Sequence, residues 1–203
     1  LLIFAYLFYE VFPLFESAEL EPINEYVLAT NTNASTLHTA IEEQGEIAMR
    51  LDSSGSVHFF DFEDGNSLSQ YQVDIPDGVE ITSHSIDTEE SGIIALGLSN
   101  GQVQIIAHEY DVSFRPEDNA RVITPQLTYP FGEEPYTLFE DNAVVDVALR
   151  TRGENMTLAA LDVLGRIQLL EASKQTSLFA ARFPVSECWS GPDCIREQLC
   201  SPA

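Results

Sequence analysis

One pattern of apolar and polar positions occurs three times along the chain. Small and aliphatic residues lead into a polar turn that ends in Gly, and an alternating apolar run follows. The three copies are IAMRLDSSGSVHFF (47–60), IALGLSNGQVQII (94–106) and LAALDVLGRIQLL (158–170). Because Gly supplies the positive φ that a tight turn needs, each copy predicts a β-hairpin.

Three hairpins at intervals of tens of residues predict the blades of a propeller-like array, because a hairpin cannot bury its own apolar face. The turn glycines are Gly55, Gly101 and Gly165. Residues 37–109 hold two units with enough short apolar runs for one blade each, and the third unit runs from Val144 to Ser173. The fold class is therefore expected to be mostly β, a partial propeller of about three blades over residues 37–178.

The hairpin pattern is interrupted over residues 110–140, which contain four prolines. We expect a long excursion here with one strand pair, around Val122–Tyr129. Four aromatic residues of this segment form the expected partner surface, although a loop that covers the propeller core would have the same composition. They are Tyr129, Phe131, Tyr136 and Phe139.

Residues 1–15 read LLIFAYLFYEVFPLF, with a single charge at Glu10. This apolar run is too short to cross a bilayer alone, and the lack of a basic start argues against a signal peptide. It is therefore interpreted as the C-terminal end of a transmembrane helix. A buried core helix or strand is the alternative. Residues 16–36 are polar and acidic, and they are expected to connect this helix to the propeller.

Residues 179–203 differ from the rest, since alternation stops and Cys, Trp and Pro appear. All three cysteines lie here, at Cys188, Cys194 and Cys200, and their six-residue spacing fits neither a metal knuckle nor a redox pair. The region is interpreted as an atypical tail, either disordered or not native to the protein. Three blades do not close a ring, so a truncated propeller is the other interpretation.

The charge of the chain excludes one class of partner. Lys and Arg number 9 against 33 Asp and Glu, which gives a net charge of −24. That excess repels nucleic acids and disfavours anionic lipid headgroups. Since 44% of the residues are hydrophobic, the chain can still build a core.

Catalytic and ligand-binding motifs are missing from the sequence. It has no phosphate-binding Gly-rich loop with Lys and no Gly-x-Ser-x-Gly elbow. The four histidines share no metal-ligand spacing, and His58 and His108 are expected to be exposed strand residues. We therefore expect no enzyme activity, no cofactor and no metal.

Three segments resemble the periplasmic insert of long-form phosphate ABC importer permeases of proteobacteria. They are Glu42–Gly65, Ser91–Phe114 and Arg121–Leu138, and the stretch FYEVFPLF (8–15) is similar to the end of that family's first transmembrane helix. The resemblance covers residues 1–178. It implies a WD40-like region in the periplasm, held to the inner membrane by the N-terminal helix. It further implies that the partners are the permease core, a companion permease subunit, the cytoplasmic ATPase and a phosphate-binding protein.

The resemblance implies that the chain is a non-catalytic, periplasmic part of a phosphate importer that acts as a docking surface. The permease core itself is absent from the sequence. Six arginines are the main candidates for binding phosphate, but they are scattered along the chain and outnumbered by acidic residues. The domain is therefore expected not to bind phosphate. The six arginines are Arg50, Arg115, Arg121, Arg150, Arg152 and Arg166. A freestanding propeller that binds other proteins is the alternative, and an enzyme built on a propeller is a third.

Overall fold

The computed structural model describes residues 2–12, 22, 24–28 and 34–174. This part of the chain contains one short helix followed by twelve strands. In chain order they are α1 (Leu2–Val11), β1 (Thr36–Ile41), β2 (Ile47–Asp52), β3 (Ser56–Asp61), β4 (Ser67–Gln72), β5 (Ile81–Ile86), β6 (Ile93–Leu98), β7 (Gln102–Phe114), β8 (Arg121–Thr128), β9 (Tyr136–Thr137), β10 (Val144–Arg152), β11 (Asn155–Asp162) and β12 (Ile167–Ser173).

The strands form three antiparallel sheets, which we name blades 1, 2 and 3. Blade 1 has the order β1-β2-β3-β4, blade 2 has β5-β6-β7-β8 with β9 also on β7, and blade 3 has β10-β11-β12. Each predicted hairpin is present as β2–β3, β6–β7 or β11–β12. The three turn glycines have φ of +79°, +84° and +80°. The mostly β, blade-like fold class is confirmed, as a partial propeller.

Blade 2 is buried on both faces because it lies between the other two. Every residue of β6 is buried. Ile94 and Leu96 pack into a cluster with blade 1, which we call the first core cluster. Ile93 and Ala95 pack on the other side with blade 3, in the second core cluster. The continuous apolar run of β6 therefore reflects a sheet with no solvent face.

Strand β7 is long because it has two partners on the same edge. Its first residues pair with β9, and the stretch from Ala107 to Phe114 pairs with β8. The second stretch continues beyond β6, so β7 and β8 form a hairpin that reaches blade 1, where Ile123 and Leu127 join the first core cluster. The expected strand around Val122–Tyr129 is confirmed as β8, paired with the extension of β7.

A short segment before β1 lies against blade 1. The ring of Tyr26 meets that of Phe60 edge-on, with centroids 6.1 Å apart, and its hydroxyl donates to the Phe62 carbonyl. The Asn24 amide donates to the Glu63 carbonyl at 2.6 Å. Part of the expected connector is therefore packed on the propeller.

The N-terminal helix α1 spans ten residues. Within the described residues, no helix is both long enough and apolar enough to cross a membrane. The expected tail, residues 179–203, and its three cysteines lie outside the described residues.

Candidate interaction surface

The four aromatic residues expected at a partner surface take different positions. Phe131 and Phe139 are 9% and 3% exposed and belong to the second core cluster, so these two side chains are not available to a partner. Tyr136 packs against the same cluster, and its hydroxyl donates to the Phe131 carbonyl. Tyr129 packs against the first core cluster instead.

The segment between β8 and β10, residues 129–143, thus covers the gap between blades 2 and 3, and we call it the covering segment. This arrangement matches the alternative of a loop that covers the core. Between the buried rings, Gly132, Glu133 and Glu134 are exposed. Contact with a partner stays a prediction, and it would fall on these exposed residues and on the partly buried tyrosines.

The covering segment is attached to blade 2 at the β6–β7 turn. The Gly101 carbonyl accepts hydrogen bonds from the backbone N–H groups of Leu138 and Phe139, at 3.1 and 3.0 Å. A Cβ on Gly101 would lie 1.9 Å from the Phe139 carbonyl oxygen. The glycine is therefore required twice, for its positive φ and for this close approach.

Buried carboxylates shape the hairpin turns of blades 1 and 3. Asp162 is 1% exposed and accepts from the backbone N–H groups of Leu164 and Arg166, and from the Arg166 Nε at 2.7 Å. Burial alone would raise the pKa of Asp162, but the hydrogen bonds from Arg166 and Leu164 and the charge of Arg166 lower it below its ordinary value. Asp52 accepts in the same way from the backbone of Ser54 and Ser56.

These carboxylates were not identified from the sequence, although a signal was present. Both turns begin with Asp three residues before the Gly, whereas blade 2 has Leu98 at that place. There the Asn100 side chain accepts from the Gln102 N–H at 3.2 Å instead. The repeated Asp thus forms the turn.

A third buried carboxylate connects blades 2 and 3. The Asp87 side chain is 3% exposed and accepts from the backbone N–H of Thr151 at 2.9 Å and from its hydroxyl. Burial alone would raise the pKa of Asp87, but bonds from Thr151 and Ser91 and the charge of Arg150 lower it. This contact joins residues 64 positions apart, so it fixes the two blades against each other.

Replacing Asp87 tests that connection. Asp87→Ala should lower the free energy of unfolding by about 1–3 kcal/mol, because it leaves the Thr151 N–H without its acceptor. Asp111→Ala, at an exposed position, should change it by no more than about 0.5 kcal/mol. Urea unfolding of both variants measures the difference, and equal effects would show that the Asp87 contact does not stabilise the blade interface.

Of the two histidines that were expected to be exposed, His58 is partly buried and His108 is buried. His108 is 7% exposed, so that prediction is wrong: β7 continues past β6 and carries His108 into the interface with blade 1. Its ring packs edge-on against Tyr110, with centroids 5.6 Å apart. Burial, with a smaller contribution from the charge of His38, lowers the pKa of His108 to about 4.

The arginines do not converge. Four of the six pair with carboxylates on separate parts of the fold: Arg115 with Asp118, Arg121 with Glu46, Arg150 with Asp87, and Arg166 with Asp162. Among the described residues, no group of three or more His, Cys, Asp or Glu is placed to hold a metal ion. The clustered charge that an anion or metal site needs is thus not assembled in this part of the chain.

Two shallow grooves open on the surface. One, of about 680 Å³, follows the connection between blades 1 and 2 and is lined by Asp74, Asp77 and Glu80 among others. The other, of about 420 Å³, lies beside the covering segment, where the Arg166 guanidinium stands 5.6 Å from the Phe139 ring centroid. Neither contains a convergent set of catalytic groups.

No family of known proteins and no curated protein matches the sequence. Solved structures that are similar include the WD40 repeats of RRP9, with 11% identity over 71% of this chain and a TM-score of 0.38. The WD40 domain of SCAP from fission yeast has 12% identity over 68% of this chain and a TM-score of 0.36. The computationally designed Ika4 protein has 9% identity over 71% and a TM-score of 0.34. This chain covers 41% of the RRP9 structure, 29% of the SCAP structure and 94% of the Ika4 structure. What carries the fold assignment is the blade arrangement itself.

Proposed function

We propose that this chain is a non-catalytic protein-interaction module that forms the periplasmic part of a phosphate importer permease. The interaction role is supported by the blade stack, whose interior is filled by two packed core clusters and whose arginines pair with carboxylates on separate parts of the fold. The permease assignment depends on the sequence resemblance. The structural observation that supports it best is the exposure of the apolar side chains of α1 in a chain with a net charge of −24.

The side chains of α1 whose burial the structure describes are all exposed. Phe4 and Phe8 are 77% and 74% exposed, and Ile3, Tyr6 and Tyr9 are each more than half exposed. Apolar helix side chains exposed in this number are stabilised only when protein or lipid surrounds them. We propose that a lipid bilayer surrounds α1 and that the blades lie outside the inner membrane.

A docking role follows for the exposed acidic loop at Glu133 and Glu134. This loop is held by the buried Phe131 and Phe139 on either side, so its position relative to the blades is fixed. Rigid presentation of a charged loop suits the recognition of a partner with a basic patch. The partner we propose is the phosphate-binding protein that delivers substrate to the permease.

One flotation experiment tests both parts of the proposal. Phosphatidylcholine vesicles are mixed with the chain and a purified phosphate-binding protein, and both proteins are expected in the floating fraction. Phe4→Asp with Phe8→Asp should remove both proteins from it, whereas Val112→Asp with Phe114→Asp, at exposed positions on the β7–β8 hairpin, should not.

Reversing the acidic loop separates the two roles. Glu133→Lys with Glu134→Lys should leave the chain on the vesicles and release the binding protein, because attraction becomes repulsion. The same change at the exposed Glu89 and Glu90 is the matched control. A chain that captures the binding protein but never floats would be a freestanding interaction module, which contradicts the permease assignment. A chain that floats alone in every case contradicts the proposed partner.

A further inference from the structure

Blade 3 has a free edge where the other blades are paired. The third strand of blade 1, β3, pairs with β4, and the third strand of blade 2, β7, pairs with β8 and β9. Within the described residues, no strand pairs with the second edge of β12. Leu170 and Ala172, which pack against the second core cluster, are only partly buried, whereas Phe60 of β3 and Ile106 of β7, which correspond to Leu170 in the other two hairpins, are 8% and 1% exposed.

The other outer edges are less suited than β12 to pairing through apolar side chains. Strand β8 contains Pro125, which has no N–H to donate, and β4 has the mostly polar sequence SLSQYQ. Strand β12 has the sequence IQLLEAS, with Ile167 and Leu169 68% and 76% exposed. An apolar edge strand of this kind is a template for pairing with another chain.

Charge makes blade 3 the one blade on which two copies of this acidic chain can meet without repulsion. Residues 144–174 contain four acidic and four basic residues, so their net charge is zero in a chain with a net charge of −24. The residues are Asp146, Arg150, Arg152, Glu154, Asp162, Arg166, Glu171 and Lys174. A charge-balanced surface with exposed aliphatic residues allows two copies of an acidic chain to approach each other there.

We propose that β12 pairs with β12 of a second copy of this chain, antiparallel about a two-fold axis. The two three-stranded blades then form one continuous six-stranded sheet. Only one register gives all seven residues of β12 a partner, and it places Leu170 opposite Leu170 of the second copy. In that register Leu169 lies directly opposite Glu171 of the second copy, on the solvent face of the sheet.

The register makes a test by charge possible. Leu169→Glu places two like-charged pairs across the two-fold axis and should weaken dimerisation about tenfold or more. Leu169→Lys places Lys opposite Glu171 and should leave the dimer intact. The double variant Leu169→Glu with Glu171→Lys restores opposite charges and should recover the dimer. Leu169 is exposed, so none of these changes should alter the thermal midpoint of the monomer much.

Sedimentation equilibrium of the full chain over a range of concentrations measures the association. Weakening by Leu169→Glu, retention by Leu169→Lys and rescue by the double variant would establish both the edge and the register. A chain that is monomeric at every concentration overturns the proposal. So does a dimer that Leu169→Glu leaves unchanged, since association would then use another surface such as α1.

Discussion

Gly101→Ala is expected to lower the free energy of unfolding by about 3 kcal/mol or more, and the thermal midpoint by about 6–12 °C. The φ of Gly101 is +84°, a region that costs an L-residue about 1–2 kcal/mol. The added Cβ would also lie 1.9 Å from the Phe139 carbonyl oxygen and 2.9 Å from that of Asn142. Since both are backbone atoms, the covering segment would have to move away from the turn.

Gly165→Ala is the matched control for that result. Gly165 occupies the corresponding turn of blade 3 with a φ of +80°, and nothing lies within 4 Å of its would-be Cβ. It should therefore show only the backbone cost, about 1 kcal/mol. Asn tolerates positive φ better than Ala, so Gly165→Asn should be nearly neutral while Gly101→Asn still clashes. Urea and thermal unfolding of the four variants compare them, and equal losses at the two positions would show that the covering segment does not bear on the turn.

The hairpins were predictable from the sequence because their determinants are local. An alternating apolar run and a Gly at the turn fix both the strands and the turn within about fourteen residues. A strand pair around Val122–Tyr129 was also predicted inside the proline-rich excursion, where β8 lies. Burial alternates along β11 in blade 3, whereas every residue of β6 in blade 2 is buried. The difference distinguishes a strand with one buried face from a strand with two.

The positions of single side chains were less predictable because they depend on distant contacts. Phe131 and Phe139 form part of a core built from blades 2 and 3, and an exposed aromatic loop would have the same composition. His108 is buried because β7 continues past the end of its neighbour β6. That continuation was visible in the alternation of Tyr110, Val112 and Phe114, but the prolines that follow suggested an earlier end.

The contacts that join the blades were not predictable at all. Asp87 meets Thr151 across two blades, and the Thr82 hydroxyl donates to the Val144 carbonyl at 2.6 Å. Nothing in the local sequence of either partner indicates the other. Such contacts decide how blades pack, whereas patterning decides only that blades form.

The second large effect is expected from pH, and it comes from His108. Its ring is buried between blades 1 and 2, and its pKa is lowered from 6.5 to about 4. The unfolded chain therefore takes up a proton between pH 6.5 and 4 that the native protein does not. Stability from this group is complete above pH 6.5 and is lost as the pH falls to about 4. At about 1.4 kcal/mol for each pKa unit, the loss amounts to roughly 3 kcal/mol.

Other charged or titratable groups surround the ring. His38 on β1 and His84 on β5 face this interface, and burial lowers the pKa of His38 as well. Glu89 acts on His38 with the opposite sign, and Tyr110 stays neutral throughout because burial raises its pKa to about 12. Acid also reduces the repulsion within a chain of net charge −24, which favours the native state. A comparison between variants is therefore needed to isolate His108.

His108→Gln provides that comparison, because Gln is polar and of similar size but does not titrate. Free energies of unfolding are measured in urea at pH 7.5, 6.5, 5.5 and 4.5 for the wild type, this variant and His58→Gln as a control at a less buried site. The curve of the wild type should fall more steeply with acid than that of His108→Gln, by about 2–3 kcal/mol between the end points. His58→Gln should flatten the curve less, because His58 is less buried, although burial lowers its pKa as well. Parallel curves for all three would mean that His108 takes up its proton at the same pH in the native protein as in the unfolded chain. The interface between blades 1 and 2 would then admit water at this position.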